Sequence, residues 1–520
     1  MPFAVRAPES APTAPRPEDE RLPLGRTAVH AVQHVLTMYG GLVAVPLVVA
    51  GAAGYGPQET ALLVAAALFV GGFATFVQAW GLPRIGSQLP LVQGVSFTGI
   101  ATMLSVLASD GGMPSVMGSI MVASLIGFLA VPFFAKVLRF FPPVVTGTII
   151  TTIGITLVPV AAGWAMGGDA GAPGHGSPAN IALAGFTLLL VLVLSRFGGP
   201  AVSRLAILLA VLGGTVVAWL LGVADFSAVG EGAWFALPSV LHFGAPTFEL
   251  AAVVAMTIVI FVNMAETTAD IMALGEITGS RVDARRIADG LRADMLSSAV
   301  APVFNSFTQT AFVQNVGLVA ITKVRSRYVV ALGGAFMVVL GMLPVLGQVI
   351  AAIPLPVMGG AGVVLFGTVM SSGIRTLARV DYRGGANLVV VAVALSFGMV
   401  PIVVPAFYAQ FPDWVGVIFS SGISSAAVMA LVLNLLFNEL GGRRRTEAMG
   451  MGAVGLRVLS PREFAALQDG DTFVDGRLVD AHGREVPHAT SQEQYEALRA
   501  RIESGELSSV EQVREACRQD

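Results

Sequence analysis

The sequence predicts an all-α integral membrane protein of about fourteen transmembrane helices, arranged as an inverted repeat. Three observations predict it. The 520 residues are 55% hydrophobic and 12% charged, with mean hydropathy +0.77, against roughly 25% charged in soluble domains. Apolar runs of ~20 residues, enough for a helix to cross a bilayer, recur along the chain. Lys and Arg mark every second connection between those runs, as cytoplasmic loops do.

Taken in order, residues 1–26 are rich in Pro, Ala and charge and read as a disordered cytoplasmic arm. The first apolar run is long enough to stay in the membrane, so no cleavable signal is expected. The runs fall near 28–50, 60–80, 91–108, 114–134, 143–162, 180–196, 204–222, 249–274, 287–303, 312–323, 327–350, 354–373, 384–403 and 417–438. The third and tenth are short and interrupted, and are read as broken spans. Between residues 27 and 440, basic residues occur only at Arg84, Lys136, Arg139, Arg196, Arg204, Arg281, Arg285, Arg286, Arg292, Lys323, Arg325, Arg327, Arg375, Arg379 and Arg383. The intervening connections carry none, which places both termini in the cytoplasm. A wrong run count would break that alternation.

The two halves also resemble each other. PVVTGTIITTIG from Pro143 and PVMGGAGVVLFG from Pro356 share Pro143/Pro356, Val144/Val357, Gly147/Gly360 and Gly154/Gly367. They lie on the fifth and twelfth runs. An odd separation makes the second copy face the other way, the inverted repeat of many secondary transporters, whose sites lie at broken helices near the midplane.

Residues 441–520 read as a small soluble cytoplasmic tail. Arg443, Arg444 and Arg445 form a stop-transfer cluster, TFVDGRLVDAHGREV has a hairpin pattern, and SQEQYEALRARIESG is an amphipathic helix with Ser491 as a possible cap. The single cysteine, Cys517, leaves no disulfide framework or thiolate metal site within the chain. His30 and His34 have helical spacing but no further ligand, so no metal site is expected.

Chemistry concentrates in a few polar groups at membrane depth, where an ionisable residue is a functional candidate by default. Asn263, Glu266 and Asp270 in NMAETTADIM share one helical face. A cluster that merely pairs helices gives the same pattern; a carboxylate that takes up and releases a proton is the functional alternative. Asp294 in GLRADMLSS either orients neighbours or takes part directly. His34 on the first run is a proton-coupling or purely hydrogen-bonding group. In the third run Gln93, Gly94, Ser96 and Phe97 fall together, and in the tenth Gln314, Asn315 and Gly317. Glycine beside polar residues points to an extended break followed by a half-helix, whose N-terminus can bind a polar ligand. Phe97 offers an aromatic face to a planar ring.

The stretch QNVGLVAITK (Gln314, Asn315, Gly317, Thr322, Lys323) resembles the signature of the nucleobase–ascorbate transporter family. Gln33–His34, Ser96–Phe97, Glu266 with Asp270, GLRAD ending at Asp294 and NSFTQTAFVQN match the family in the same order, across nearly all of residues 27–440. PVFNS departs from it at Phe304, where relatives often have Pro. The resemblance implies a core of spans one to four and eight to eleven, a gate of spans five to seven and twelve to fourteen, and a homodimer. It implies substrate binding by Glu266 and Gln314, with Phe97 stacking and backbone groups at Val313 and Asn315 contributing. His34, Asp270 and Asp294 would support coupling or geometry. Gln314 at the first signature position is similar to the xanthine and uric acid branch, whereas uracil-type members carry Glu there. A Gln amide both donates and accepts, which suits an adjacent carbonyl and ring nitrogen. The expectation is therefore a purine–proton symporter with no cofactor. A pyrimidine carrier or an anion transporter is the alternative, with no enzyme constellation and no nucleic-acid partner. Arg outnumbers Lys twenty-eight to two, a bias of GC-rich genomes that fits a bacterial inner membrane.

Overall fold

The computed structural model describes residues 16–109, 111–134, 140–168, 171–227, 229–230, 234–382 and 385–439. In the tail it describes 457–458, 472–474, 477–479, 486, 488–489, 492–507 and 509–519. Lys136, Arg139, Arg383, the Arg443–Arg445 cluster and Ser491 lie outside the described residues. The chain divides into two compact units, one ending at Asn434 and one beginning at Leu435.

A helix lies on every predicted apolar run of the first unit. In order these are α1 (Leu24–Ala52), α2 (Pro57–Trp80), α3 (Ile100–Leu107), α4 (Gly112–Ala130), α5 (Pro143–Ala165), α6 (Pro178–Phe197), α7 (Pro200–Arg204), α8 (Ala206–Leu220), α9 (Leu250–Thr278) and α10 (Ala284–Val300). They continue with α11 (Val313–Thr322), α12 (Arg327–Gly341), α13 (Pro344–Ala351), α14 (Leu355–Leu377), α15 (Ala386–Val403), α16 (Asp413–Phe419) and α17 (Gly422–Asn434). Among the described residues eight helices are by themselves long and apolar enough to cross a membrane, and α12 with α13 forms a pair bent by 77°. Two strands, β1 (Gln93–Val95) and β2 (Gln309–Ala311), interrupt the third run and precede the tenth.

The ends follow local chemistry. Proline, whose missing N–H costs nothing in a first helical turn, starts α2, α5, α6 and α14. Ser177 caps α6 by accepting from the Asn180 N–H, and Asp283 caps α10 by accepting from the Arg286 N–H at 2.8 Å. Gly279, at φ 75°, ends α9 in a left-handed cap.

Helix pairing is built on glycine, because small residues let backbones approach where lipid supplies no hydrophobic contrast. A Cβ on Gly154 would lie 2.4 Å from the Met370 backbone nitrogen, and one on Gly373 would lie 2.3 Å from that of Thr151. Thus α5 and α14, which carry the two similar sequences, pack directly against each other and run antiparallel. The α2–α12 seam is similar: Gly72 meets Val338 and Gly341 meets Phe69. Contacts recur when the halves are exchanged. α2 packs on α12 as α10 packs on α4, and α1 packs on α12 as α9 packs on α4.

The arm expected to be disordered through residue 26 is ordered over its last part. Pro17–Asp19 form a 3₁₀ turn and α1 begins at Leu24. Glu18 is fully buried, pairs with Arg286 at 2.6 Å and accepts a short hydrogen bond from Ser280. Asp19 pairs with Arg327 at 2.6 Å, and Ser326 donates to the Glu20 carbonyl. These long-range ion pairs order residues that composition alone reads as solvated. Burial works to raise the Glu18 carboxyl. The hydrogen bonds from Ser280, its own backbone and Arg286, with the Arg286 charge, outweigh it and hold the group below the usual carboxylate value. Its contribution is therefore present above the unfolded carboxylate pKa and is lost as pH falls through the lowered folded value. Glu18→Gln is expected to release residues 16–20 at neutral pH, since breaking a buried pair costs about 3–5 kcal/mol. Hydrogen exchange at those amides measures it, and unchanged protection would count against the clasp.

In the tail, β4 (Thr472–Val474) and β5 (Arg477–Val479) pair antiparallel, leaving Asp475–Gly476 between them, as the hairpin pattern predicts; Arg457–Val458 (β3) pairs parallel with His488–Ala489 (β6). The helix expected over SQEQYEALRARIESG is α18 (Gln492–Glu503). A second helix, α19 (Val510–Gln519), was not expected, and Val513 and Ala516 on it pack with Leu498 and Leu507.

Candidate substrate site at the crossed strands

The strands β1 and β2 pair antiparallel, with Gln93 opposite Ala311, Gly94 opposite Thr310 and Val95 opposite Gln309. The ladder extends through Ser96 N–H to the Thr308 carbonyl at 2.8 Å and Phe312 N–H to the Val92 carbonyl at 3.1 Å. Each strand then feeds a short helix, β1 into α3 and β2 into α11. Three-residue strands cannot hold themselves in an apolar setting, so flanking hydroxyls complete their bonding. Thr75 of α2 accepts from the Gln93 N–H at 2.9 Å and donates to its carbonyl at 3.0 Å. Ser298 of α10 does the same to Gln309, at 2.8 and 3.2 Å. Packing is tight at Gly94, where a Cβ would meet the Leu42 side chain at 2.3 Å and the Phe312 ring at 2.5 Å.

The polar face of α9 lies along this crossing. Ser96 donates to Asn263 at 2.9 Å and Thr98 donates to Glu266 Oε2 at 3.1 Å. Thr267 donates to Asp294 at 2.5 Å and accepts from the Ala311 N–H at 3.3 Å. The face predicted from the spacing of Asn263, Glu266 and Asp270 is therefore inward, and Asn263 and Asp270 are buried.

On the other side, Asn315 is fully buried and acts as a strut. Its Oδ1 accepts from His34 Nδ1 at 2.7 Å, which puts the imidazole proton on Nδ1, and its Nδ2 donates to the Pro90 carbonyl at 2.6 Å. Asn315 and His34 thus tie α1, the segment before β1, and α11 together. Gln314 is half-buried beside it in the first turn of α11. No side chain caps that helix, which begins at Val313; first-turn N–H groups lack partners within the helix. The Val313 side chain is itself 41% exposed, so any part it takes in binding falls to its backbone. Phe97 is half-buried, with ring centroids 6.2 Å from both Phe312 and Phe366.

The sequence reading missed Thr98, Thr267, Thr75, Ser298 and Gln309. Hydroxyls in apolar helices are common, and only the long-range pairing distinguishes these. Gln309 was legible, since NSFTQTAFVQN places it before the tenth run as Gln93 stands in the third. Buried polar atoms remain without partners at Asn263 Nδ2, Asp270 Oδ2 and Gln309 Oε1. Among the described residues no group of His, Cys, Asp or Glu is arranged to hold a metal ion.

Paired strands that lead into two short helices, buried acids and amides beside them and several long apolar helices are the features of a polytopic membrane transporter. A family model described as "Permease family", Xan_ur_permease, matches residues 25–407. The chain belongs to this family, the nucleobase–ascorbate transporters, as its signature residues implied. It is 39% identical to the uric acid permease PucK of Bacillus subtilis (strain 168), over 78% of this chain and 94% of that one. It is 36% identical to a xanthine permease of the same organism, over 81% and 96%. Identity to the uric acid transporter UacT of Escherichia coli (strain K12) is 35%, over 81% and 89%. The transmembrane domain of the cyanobacterium bicarbonate transporter BicA shares the fold at TM-score 0.53 and 15% identity, covering 79% of this chain and 98% of that one. The chain is a multi-pass bacterial membrane protein.

Proposed function

We propose that this chain imports a purine nucleobase, xanthine or uric acid, across the bacterial inner membrane together with a proton. The observation that supports the reading is that Thr98, beside Phe97 and ahead of α3, bonds Glu266 of α9, while Gln314 lies in the first turn of α11, and the strands leading into α3 and α11 are paired. Glu266 accepts a ring N–H as a charge-assisted bond. Gln314 pairs with an adjacent carbonyl and ring nitrogen, backbone N–H groups at Val313 and Asn315 add donors, and Phe97 stacks on the ring. Asp270, Asp294 and His34 hold the geometry and carry the coupling proton. The names of the relatives and the Gln at position 314 support a purine over a pyrimidine.

The exchange-related contacts of α2–α12 with α10–α4 support about fourteen spans in two inverted halves, with α3 and α11 as broken spans. In that arrangement α1–α4 and α9–α13 form a core that moves against a gate of α5–α8 and α14–α17. Both termini lie in the cytoplasm by the placement of Arg and Lys, and the working unit is a homodimer. An anion carrier of the same fold would want a cationic centre. The residues around the crossed strands are acids and amides instead.

Labelled xanthine, urate and uracil uptake in expressing cells, with and without a protonophore, tests the reading. Concentrative purine uptake that collapses with the proton gradient is expected. Uptake of none of the three, with expression verified, would remove the substrate assignment and leave the fold standing.

A further inference from the structure

A cleft of about 930 Å³ lies alongside α3, between that helix and the α15–α17 region, and Glu266 is not among its lining residues. Its lining includes Leu104, Ser105, Ser109, Tyr408 and Ser420, and its one acid is Glu249; no Lys or Arg is among the lining residues. The connections that meet there, 109–113, 223–248 and 404–416, contain no basic residue, which puts the cleft on the outer side. Ala101, near the start of α3, also lines it. Ser105 on the cleft wall is seven residues from Thr98, which bonds Glu266, and α3 begins between them at Ile100. Between them Thr102 bonds Ser424 at 2.9 Å and Ser421 at 3.2 Å, closing the floor.

Glu249 occupies a telling place in this cleft. A Cβ on Gly111, the residue before α4, would collide with its Oε1. The carboxylate therefore rests at the N-terminal end of α4, where the helix dipole favours negative charge. The protein thus sets its own negative charge in the wall of the cleft.

We propose that Glu249 is a specificity-determining residue that disfavours anionic purines on entry and admits neutral ones. Uric acid has lost a proton at neutral pH, whereas xanthine is largely neutral there, so the two relatives' substrates are the natural pair to compare. The inference rests on the purine reading above. Facing a like charge within about 8–10 Å in a partly desolvated cleft, urate entry slows by about three- to tenfold.

The test is the ratio of urate to xanthine kcat/KM in cells expressing the full chain. Glu249→Gln is expected to raise that ratio about three- to tenfold, and Glu249→Asp to keep it near the wild-type value. Raising ionic strength from about 20 to 200 mM should raise the ratio in the wild type, because exposed charges are screened, and leave it flat in the Gln variant. An unchanged ratio in Glu249→Gln at verified surface expression overturns the proposal. So does a wild-type ratio insensitive to salt, which needs no variant to fold. Wild-type cells that take up neither purine would instead bring down the purine reading and this inference with it. Wild-type uptake of both, with neither effect present, removes this inference alone.

Discussion

Replacing Glu266 with glutamine is expected to lower purine uptake at least about tenfold while the protein still reaches the membrane, since a hydrogen bond to a charged group contributes about 1.5–3 kcal/mol. The substitution keeps the side chain's shape and its bond to Thr98, so the loss reads the carboxylate and not the packing. Kinetics separate the possibilities. A rise in KM alone marks ground-state binding, whereas a loss of proton-driven accumulation with exchange retained marks coupling. Uptake within twofold of wild type would dissociate Glu266 from both roles. Gln314→Glu is the companion variant. It removes the amide donor, so xanthine uptake should weaken; unchanged uptake and selectivity would count against Gln314 as a ligand.

The second large effect is on assembly. Gly154→Leu is expected to prevent accumulation of folded protein, because a Cβ there would lie 2.4 Å from the Met370 backbone nitrogen and side-chain movement cannot relieve a backbone clash. Overpacking costs typically about 1–3 kcal/mol even where side chains can adjust. Its counterpart in the repeated sequence behaves differently: a Cβ on Gly367 meets nothing within 4 Å, so Gly367→Ala should leave thermal stability in detergent near wild type. Two matched glycines in the primary structure thus carry unequal loads. Equal tolerance of Gly154→Leu and Gly367→Ala in a fluorescence-detected size-exclusion assay would contradict this packing of α5 on α14.

That contrast shows what could be read from the chain. Apolar length and the alternation of Arg and Lys located the helices, because burial in lipid imposes length and charge rules on every span. Gly94 beside Gln93 stands in β1, and Gln314 beside Asn315 opens α11 just after β2. The strands β1 and β2 were not legible as strands, being three residues each in apolar surroundings with their bonding completed by Thr75 and Ser298. The inward face of α9 followed from helical spacing, but the partner of each group did not. Nothing local to Asn315 says that it will meet His34, 281 positions away. The clasp at Glu18 and Asp19 was missed for the same reason. Its residues are ordinary in composition, and only distant arginines order them.

The clasp has a bearing on biogenesis. Glu18 is made 268 residues before Arg286, and Asp19 is made 308 residues before Arg327. At bacterial elongation rates of roughly 5–20 residues per second, the segment waits about 15–60 s on the ribosome for its partners. Through that interval the first half of the molecule inserts with its leading end undocked. Closure of the clasp therefore reports that the second half has arrived and that α10 and α12 stand in their places. A chain truncated before Arg286 keeps that acidic segment exposed, which gives quality-control proteases a ready grip on incomplete product.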